Sequence, residues 1–362
     1  MSYQKSRNAL LASFLLLMST GAQAQQDGTW INLFDTGTLF GWTQVGDADW
    51  HVAIMAMGGT GGMIATTSRF QDFELSASIR LKEGCTAGLV FRGSLEGHPS
   101  ENGSCVVWLS QPKGSTSEWR TVHVVARGND VTVHADGEHS HQMGTNRVGR
   151  VGLLYHHNGE TNVEMKDVKL RPLGLTPLFN GKDLSGWNII PDRKSVFSVV
   201  DGALNIKDGN GQIETADTFR NFTMQLDIIS NGKHLNSGVF FRTPPGVFWK
   251  GYESQVRNQW QGDDRAKPVD YGTGGNYGNQ PARMVVPSDH EWFTKTVVSD
   301  GNHAAVWING YQVSDYTDYR AISGNADGKN GYVPDAGTIN LQGHDPTTDL
   351  SFKNILMQEY AD

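Results

Sequence analysis

Two cysteines in 362 residues exclude a cysteine-rich metal or iron–sulfur scaffold. No stretch of useful length repeats its apolar residues at helical spacing, which excludes a helical bundle. Basic residues are in deficit, 30 against 38 acidic ones, so the chain is poorly suited to nucleic acid or to an anionic membrane. The Gly-rich stretch YGTGGNYGN (271–279) lacks the Gly-Lys-Ser/Thr ending of a phosphate-cradling loop. Long apolar runs are also missing, with one short exception at the start.

That exception runs from Ala9 to Met18, follows Lys5 and Arg7, and precedes Ala22-Gln23-Ala24. A basic start, a short apolar run and a small-x-small site describe a cleaved secretory signal peptide over residues 1–24. The run is shorter than the roughly 18–20 apolar residues a membrane anchor needs, so the expectation is a periplasmic or secreted protein with no membrane span after cleavage. Loss of Lys5 and Arg7 leaves 28 basic residues against 38 acidic ones. Cys85 and Cys105 both fall in the first half. In an oxidising compartment a Cys85–Cys105 disulfide is expected, with two free thiols as the alternative.

What the chain has in quantity is glycine, 43 residues, and short apolar runs broken every ten residues or so by Gly, Asn and Asp. This is the rhythm of an all-β protein. Asn309-Gly310 in VWINGYQV and Asp136-Gly137 in VTVHADGEH are hairpin turns at matching places.

They match because the sequence begins twice. LFDTGTLFGW (33–42) returns as LFNGKDLSGW (178–187), GLVFR (88–92) as GVFFR (238–242), EWRT (118–121) as EWFT (291–294), and MKDVKL (165–170) as FKNILM (352–357). The offset grows from 145 through 150 and 173 to 187, so the second copy carries long insertions after its FR and EW anchors. Long loops in a compact β domain are usually functional or disordered, and the aromatics of the larger insertion speak against disorder. The expected organisation is a first, divergent β-sandwich over 25–172, a short proline-bounded linker, RPLGLTP, and a second sandwich over 173–362. Each would be two antiparallel sheets packed face to face, a jelly roll or a relative of it.

The motifs LFNGKDLSGW, NSGVFFR, GYESQV, EWFTKTVV, VWINGYQV and INLQGH with FKNI, in that order from about Leu178 to Tyr360, resemble the 3-keto-disaccharide hydrolase family, whose fold is similar to concanavalin A-like lectins and glucanases. The first copy shows the opening motif, GLVFR and EW, but has GSCVVW where GYESQ should stand. The resemblance implies two tandem concanavalin A-like jelly-roll sandwiches. It also implies a secreted or periplasmic hydrolase or lyase acting on carbohydrate already oxidised to a ketone at C3. Such a ketone acidifies the C2 hydrogen, so a base can remove it, the enolate can expel the C1 oxygen, and water can add back. The route needs a positioned base and a positive group beside the enolate oxygen.

Strand alternation sorts candidate residues onto shared faces. Glu253 and Gln255 share one, Gln342 and His344 another, and Asn236 and Arg242 a third. Amides, charges and aromatics in such rows suit sugar hydroxyls and ring faces. Glu253 and His344 are the catalytic candidates, and Asn236, Arg242, Gln255, Asn258, Tyr277 and Gln342 the substrate-binding ones, with Asp270 as a further carboxylate in the insertion. His344 pairs in the repeat with His157, counting back from the last anchor. The cofactor is left open; a divalent metal ion on Glu253 and His344 is one candidate. Trp187, repeated as Trp42, reads as core. Two other functions remain: a lectin-like carbohydrate-binding protein without turnover, and an ordinary glycoside hydrolase with paired carboxylates. Against the latter, the Glu-x-Asp-x-x-Glu pattern of lectin-like glucanases is absent.

Overall fold

The structure is a computed structural model that describes residues 24–99, 101–135, 138–143, 147–156 and 163–360. The expected signal peptide up to Gln23, the Asp136-Gly137 turn and His157 lie outside these residues. The described residues form strands and turns, and no helix among them is long and apolar enough to cross a membrane.

Each half is a jelly-roll sandwich of a five-stranded and an eight-stranded antiparallel sheet. In the second half the five-stranded sheet runs, in spatial order, Trp187–Ile189, Gly211–Thr215, Thr338–Gly343, Ser237–Thr243 and Tyr252–Val256. The first half repeats the order with Trp42–Val45, Met63–Thr66, Arg150–His156, Thr86–Gly93 and Cys105–Ser110.

The repeated motifs hold up the frame. Trp42 Nε1 donates to Leu33 O at 2.6 Å and Trp187 Nε1 to Leu178 O at 2.8 Å. In both halves a buried indole thereby closes the opening corner, which is why the motif is spelled twice. The arginines of the two FR motifs, Arg92 and Arg242, have φ of 52° and 56°. They sit where each strand slips register against its neighbour. A left-handed residue at a β-bulge re-aims its side chain, and here it sends the guanidinium inward. Arg242 donates to Val333 O at 2.8 Å and to Arg220 O, while Arg92 donates to Gln71 O and Gly128 O.

The expected disulfide is corrected: Cys85 and Cys105 are both buried and free. The hairpin register explains it. Cys105 lies opposite Phe91, whereas Cys85 O accepts from Gln111 N at the other end of the same strand pair. Six residues of strand separate the two positions, about 20 Å at the rise of a β-strand, beyond the reach of a disulfide.

The halves are packed against each other. Val298, Ala305 and Trp307, from the eight-stranded sheet of the second half, belong to the apolar core of the first, and Trp307 Nε1 donates to Asn32 O at 3.0 Å. This sheet is buried on both faces, since Leu226, Val297 and Ile308 fill the second core. Gln225 bonds Thr29, Gln358 donates to Leu173 O, and Tyr360 donates to Arg69 O across the same junction.

Candidate active site

The polar face of the second five-stranded sheet forms the floor of a cavity of about 250 Å³. Asn236, Glu253, Gln255, Tyr277, Gln342 and His344 all line it, together with Asn210, Phe248 and Trp249. Alternation along Tyr252–Val256 divides the strand: Tyr252 and Val256 enter the core, while Glu253 and Gln255 face the cavity.

Glu253 is 5% exposed and lies over Gly238, where a Cβ would overlap its Oε1. Only glycine leaves room for the carboxyl. Burial pushes that carboxyl up to about 8. The Lys329 ammonium, a hydrogen bond from the Trp249 side chain and the Lys295 ammonium oppose the rise, and the charge of Asp270 adds to it. Asn236 Nδ2 and Gln255 Nε2 donate to Asp270 Oδ2 at 2.9 and 3.2 Å, so two of the expected residues hold a third beside the cavity. Asn236 Oδ1 and Gln342 Oε1 are buried without a hydrogen-bond partner among the described residues, so both can accept from water or from a ligand hydroxyl in the cavity.

At the mouth, His344 is half-exposed and its Nδ1 meets Asp345 Oδ2 at 3.0 Å. Burial raises the Asp345 carboxyl, but hydrogen bonds from Thr347 and His344 outweigh it and hold the group below its usual range. Nε2 is left as the ring atom available to a ligand.

The insertion builds the far wall. It lies along the outer edge of Tyr252–Val256: Gly274 N donates to Gln255 O, Gln255 N to Gly275 O, and Tyr277 N to Glu253 O. A Cβ on Gly274 would overlap Val313, and its φ is 91°, so this glycine is fixed by space and backbone alike. The other wall is the loop after Thr243. Glu214 accepts Gly246 N at 2.9 Å and Gln212 accepts Trp249 N at 2.8 Å, which brings Phe248 and Trp249 over the sheet. Trp249 has φ of 58° and is 43% exposed. Asp270 and Tyr271 are also left-handed, and strain of this kind clusters at functional sites. Lys329 Nζ lies 3.7 Å from the Trp249 ring centroid and 5.7 Å from that of Tyr277.

Two expected substrate-binding residues are elsewhere. Arg242 is turned inward by its bulge, as described above. Asn258 is spent on structure: its Oδ1 accepts from Thr273 Oγ1 at 2.6 Å and its Nδ2 donates to Ser288 O. The pairing of His344 with His157 is also corrected. Leu153 lies opposite Leu89, and Leu341 opposite Val239, so the register matches His344 to His156. As for a metal, no three or more His, Cys, Asp or Glu side chains gather among the described residues to hold one, and Glu253 and His344 alone do not make a closed ligand set. Sequence reasoning missed Phe248 and Trp249, whose signal was the Pro-Pro-Gly turn before two aromatics. It also missed Lys329 and Lys295, which carried none.

A family profile described as a 3-keto-alpha-glucoside-1,2-lyase-like domain matches residues 29–171 and again 174–358. Two solved structures of putative glycosyl hydrolases from Parabacteroides distasonis are 23% and 25% identical; they cover 52% and 51% of this chain and 94% and 99% of their own, each with a TM-score of 0.41. The carbohydrate-binding module CBM66 from Bacillus subtilis is 14% identical, with 50% and 99% covered and a TM-score of 0.36. The comparison with curated proteins returns no match.

Proposed function

The chain belongs to the 3-keto-alpha-glucoside-1,2-lyase-like family, and from that premise we propose that its second half cleaves glycosides whose sugar carries a ketone at C3. Glu253, as the carboxylate, takes the proton from C2, and the electron pair moves into an enolate over C2, C3 and the C3 oxygen. Collapse of the enolate restores the C3 carbonyl, forms a C1–C2 double bond and breaks the bond from C1 to the aglycone oxygen. The departing oxygen takes a proton from His344, whose imidazolium leans on Asp345. Water then adds at C1, and C2 regains a proton. The Lys329 ammonium is the positive charge at hand for the enolate oxygen, and the buried amides of Asn236 and Gln342 suit sugar hydroxyls. A chain exported by the proposed signal peptide would meet such sugars in the periplasm or outside the cell.

The observation that carries this reading is the Glu253 carboxyl, buried in a polar cavity and raised to about 8. A base for a weakly acidic C–H is most effective when its proton affinity is high and it can still ionise near working pH. The test incubates the full-length mature protein with 3-keto-trehalose and, in parallel, with trehalose, and follows the sugars released. Release from the ketone alone is expected. Equal release from both would revive the paired-carboxylate hydrolase, and binding without release from either would leave the lectin-like reading.

A further inference from the structure

Lys295 lies in the strand Phe293–Asp300 in the middle of the eight-stranded sheet, opposite Leu226 on one neighbour and Ile308 on the other. Both neighbours belong to the apolar core, and Lys295 is itself fully buried. An ammonium among such side chains is costly unless its hydrogens are all engaged. They are engaged in one place. Nζ donates to Ser254 O at 2.9 Å, Ser254 Oγ at 3.0 Å and Gln255 O at 2.9 Å. The side chain thus spans the core from one sheet to the other and ends on the strand that bears Glu253, from the face opposite the carboxyl.

The first half supplies a control within the same molecule. Lys295 corresponds to Val122, which lies opposite Ala77 and Ala135 in the matching rows. Glu253 corresponds to Val106, because Cys105 pairs with Phe91 as Tyr252 pairs with Phe241. One half has both the carboxyl and the ammonium, and the other has valine at both places.

We infer that Lys295 is a positioning residue for Glu253, which pins the strand Tyr252–Val256 from behind and supplies the buried counter-charge to the carboxylate. The inference rests on the reading of Glu253 as the base for its bearing on turnover, but the coupling itself does not. Lys329 and Asp270 also act on Glu253, and Tyr277 and His344 share its cavity; these groups reach it from the solvent side, whereas Lys295 reaches it through the strand. Burial presses the Lys295 ammonium down and the Glu253 carboxyl up, and the charge of each opposes the shift of the other. The two groups therefore titrate as a pair.

The experiment follows the carboxyl carbon of Glu253 in the full-length protein carrying 13C-labelled glutamate, with Glu253→Gln identifying the resonance. In Lys295→Met the Glu253 midpoint should rise by about 0.3 pH unit or more, roughly a twofold change in proton affinity, and Lys295→Arg should bring it back toward the wild-type value. Coupling is reciprocal, so in Glu253→Gln the midpoint of the Lys295 ε-carbon should fall by a similar amount. That arm decides the matter even if Lys295→Met does not fold. An unmoved Lys295 midpoint in Glu253→Gln, or a folded Lys295→Met that only melts lower with Glu253 unmoved, overturns the inference. Neither arm uses a substrate, so failure to cleave any 3-keto sugar would count against the proposed function and leave this result standing. If both hold, the acid limb of kcat/KM in Lys295→Met moves up by the same amount as the Glu253 midpoint.

Discussion

The same sheet face occurs twice in this molecule with opposite chemistry. Where the second half has Gln212, Glu214, Glu253 and Gln342, the matched positions of the first are Met63, Ala65, Val106 and Leu154. Met63, Ala65, Val90 and Leu154 pack there into an apolar cluster of their own. Burying a side chain the size of Leu or Met stabilises a fold by about 1.5–3 kcal/mol. The second half forgoes that gain and bears the cost of burying a carboxyl and amides without partners. It is compensated elsewhere, because its eight-stranded sheet is sealed by the first half through Trp307 and its neighbours. Duplication has separated two demands that conflict on one surface: one copy keeps the packing, and the other takes the polar cavity and leans on its sibling.

The largest expected effect is at the carboxyl. Glu253→Gln should lower kcat/KM on a 3-keto disaccharide by at least about 10²-fold without lowering the melting temperature, whereas Trp108→Ala on the matched strand of the first half should leave turnover as it is. A loss at Trp108 as large as that at Glu253 would mean the two faces are not divided as described. Next comes pH. With Glu253 at about 8 and active only when ionised, kcat/KM should climb about tenfold per unit below that value and level off above it. A profile already flat between pH 5 and 7 would remove Glu253 as the base. Trp249 offers an exposed ring at the cavity, so Trp249→Ala should raise KM by about tenfold, as expected for a lost stacking contact, with kcat less affected. The smallest effect concerns the seam. Arg283, at the end of the insertion, pairs with Asp35 of the first half at 2.6 Å and with Thr38 at 3.2 Å. Asp35→Asn should lower the melting temperature by about 2–4 °C, measured by calorimetry, and an unchanged value would mean the first half does not brace the insertion through this contact.

The all-β character, the repeat and much of the cavity were legible because strand alternation is a local rule. It holds for Glu253 and Gln255, and again for Gln342. It failed at Arg242, where one left-handed residue breaks the period of two, and a bulge of that kind leaves no mark in an Arg-Thr-Pro-Pro sequence. The disulfide failed for a related reason: counting cysteines says nothing of register, and register put them at opposite ends of one hairpin. Lys295 was hidden more deeply. In sequence it is one residue of EWFTKTVV, and its partner strand lies forty residues earlier in a different sheet, so only tertiary packing reveals what it touches. Trp249 and Lys329 come from loops whose approach to the cavity is set by Gln212 and by the exposed Trp249 ring.

The strand Asp349–Glu359 pairs with Ala203–Lys207 on one side and Phe222–Ser230 on the other, so it is an interior strand of its sheet. During synthesis the first half can close as soon as Val163–Pro172 has emerged, its own interior strand in the matching place. The second cannot close until Asp349–Glu359 has emerged, and until then its half-built sheet has only the completed neighbour to rest against. A stop codon within Asp349–Glu359 would leave the cavity residues present and the sandwich unclosed, and would turn a truncation beyond the cavity into a folding defect.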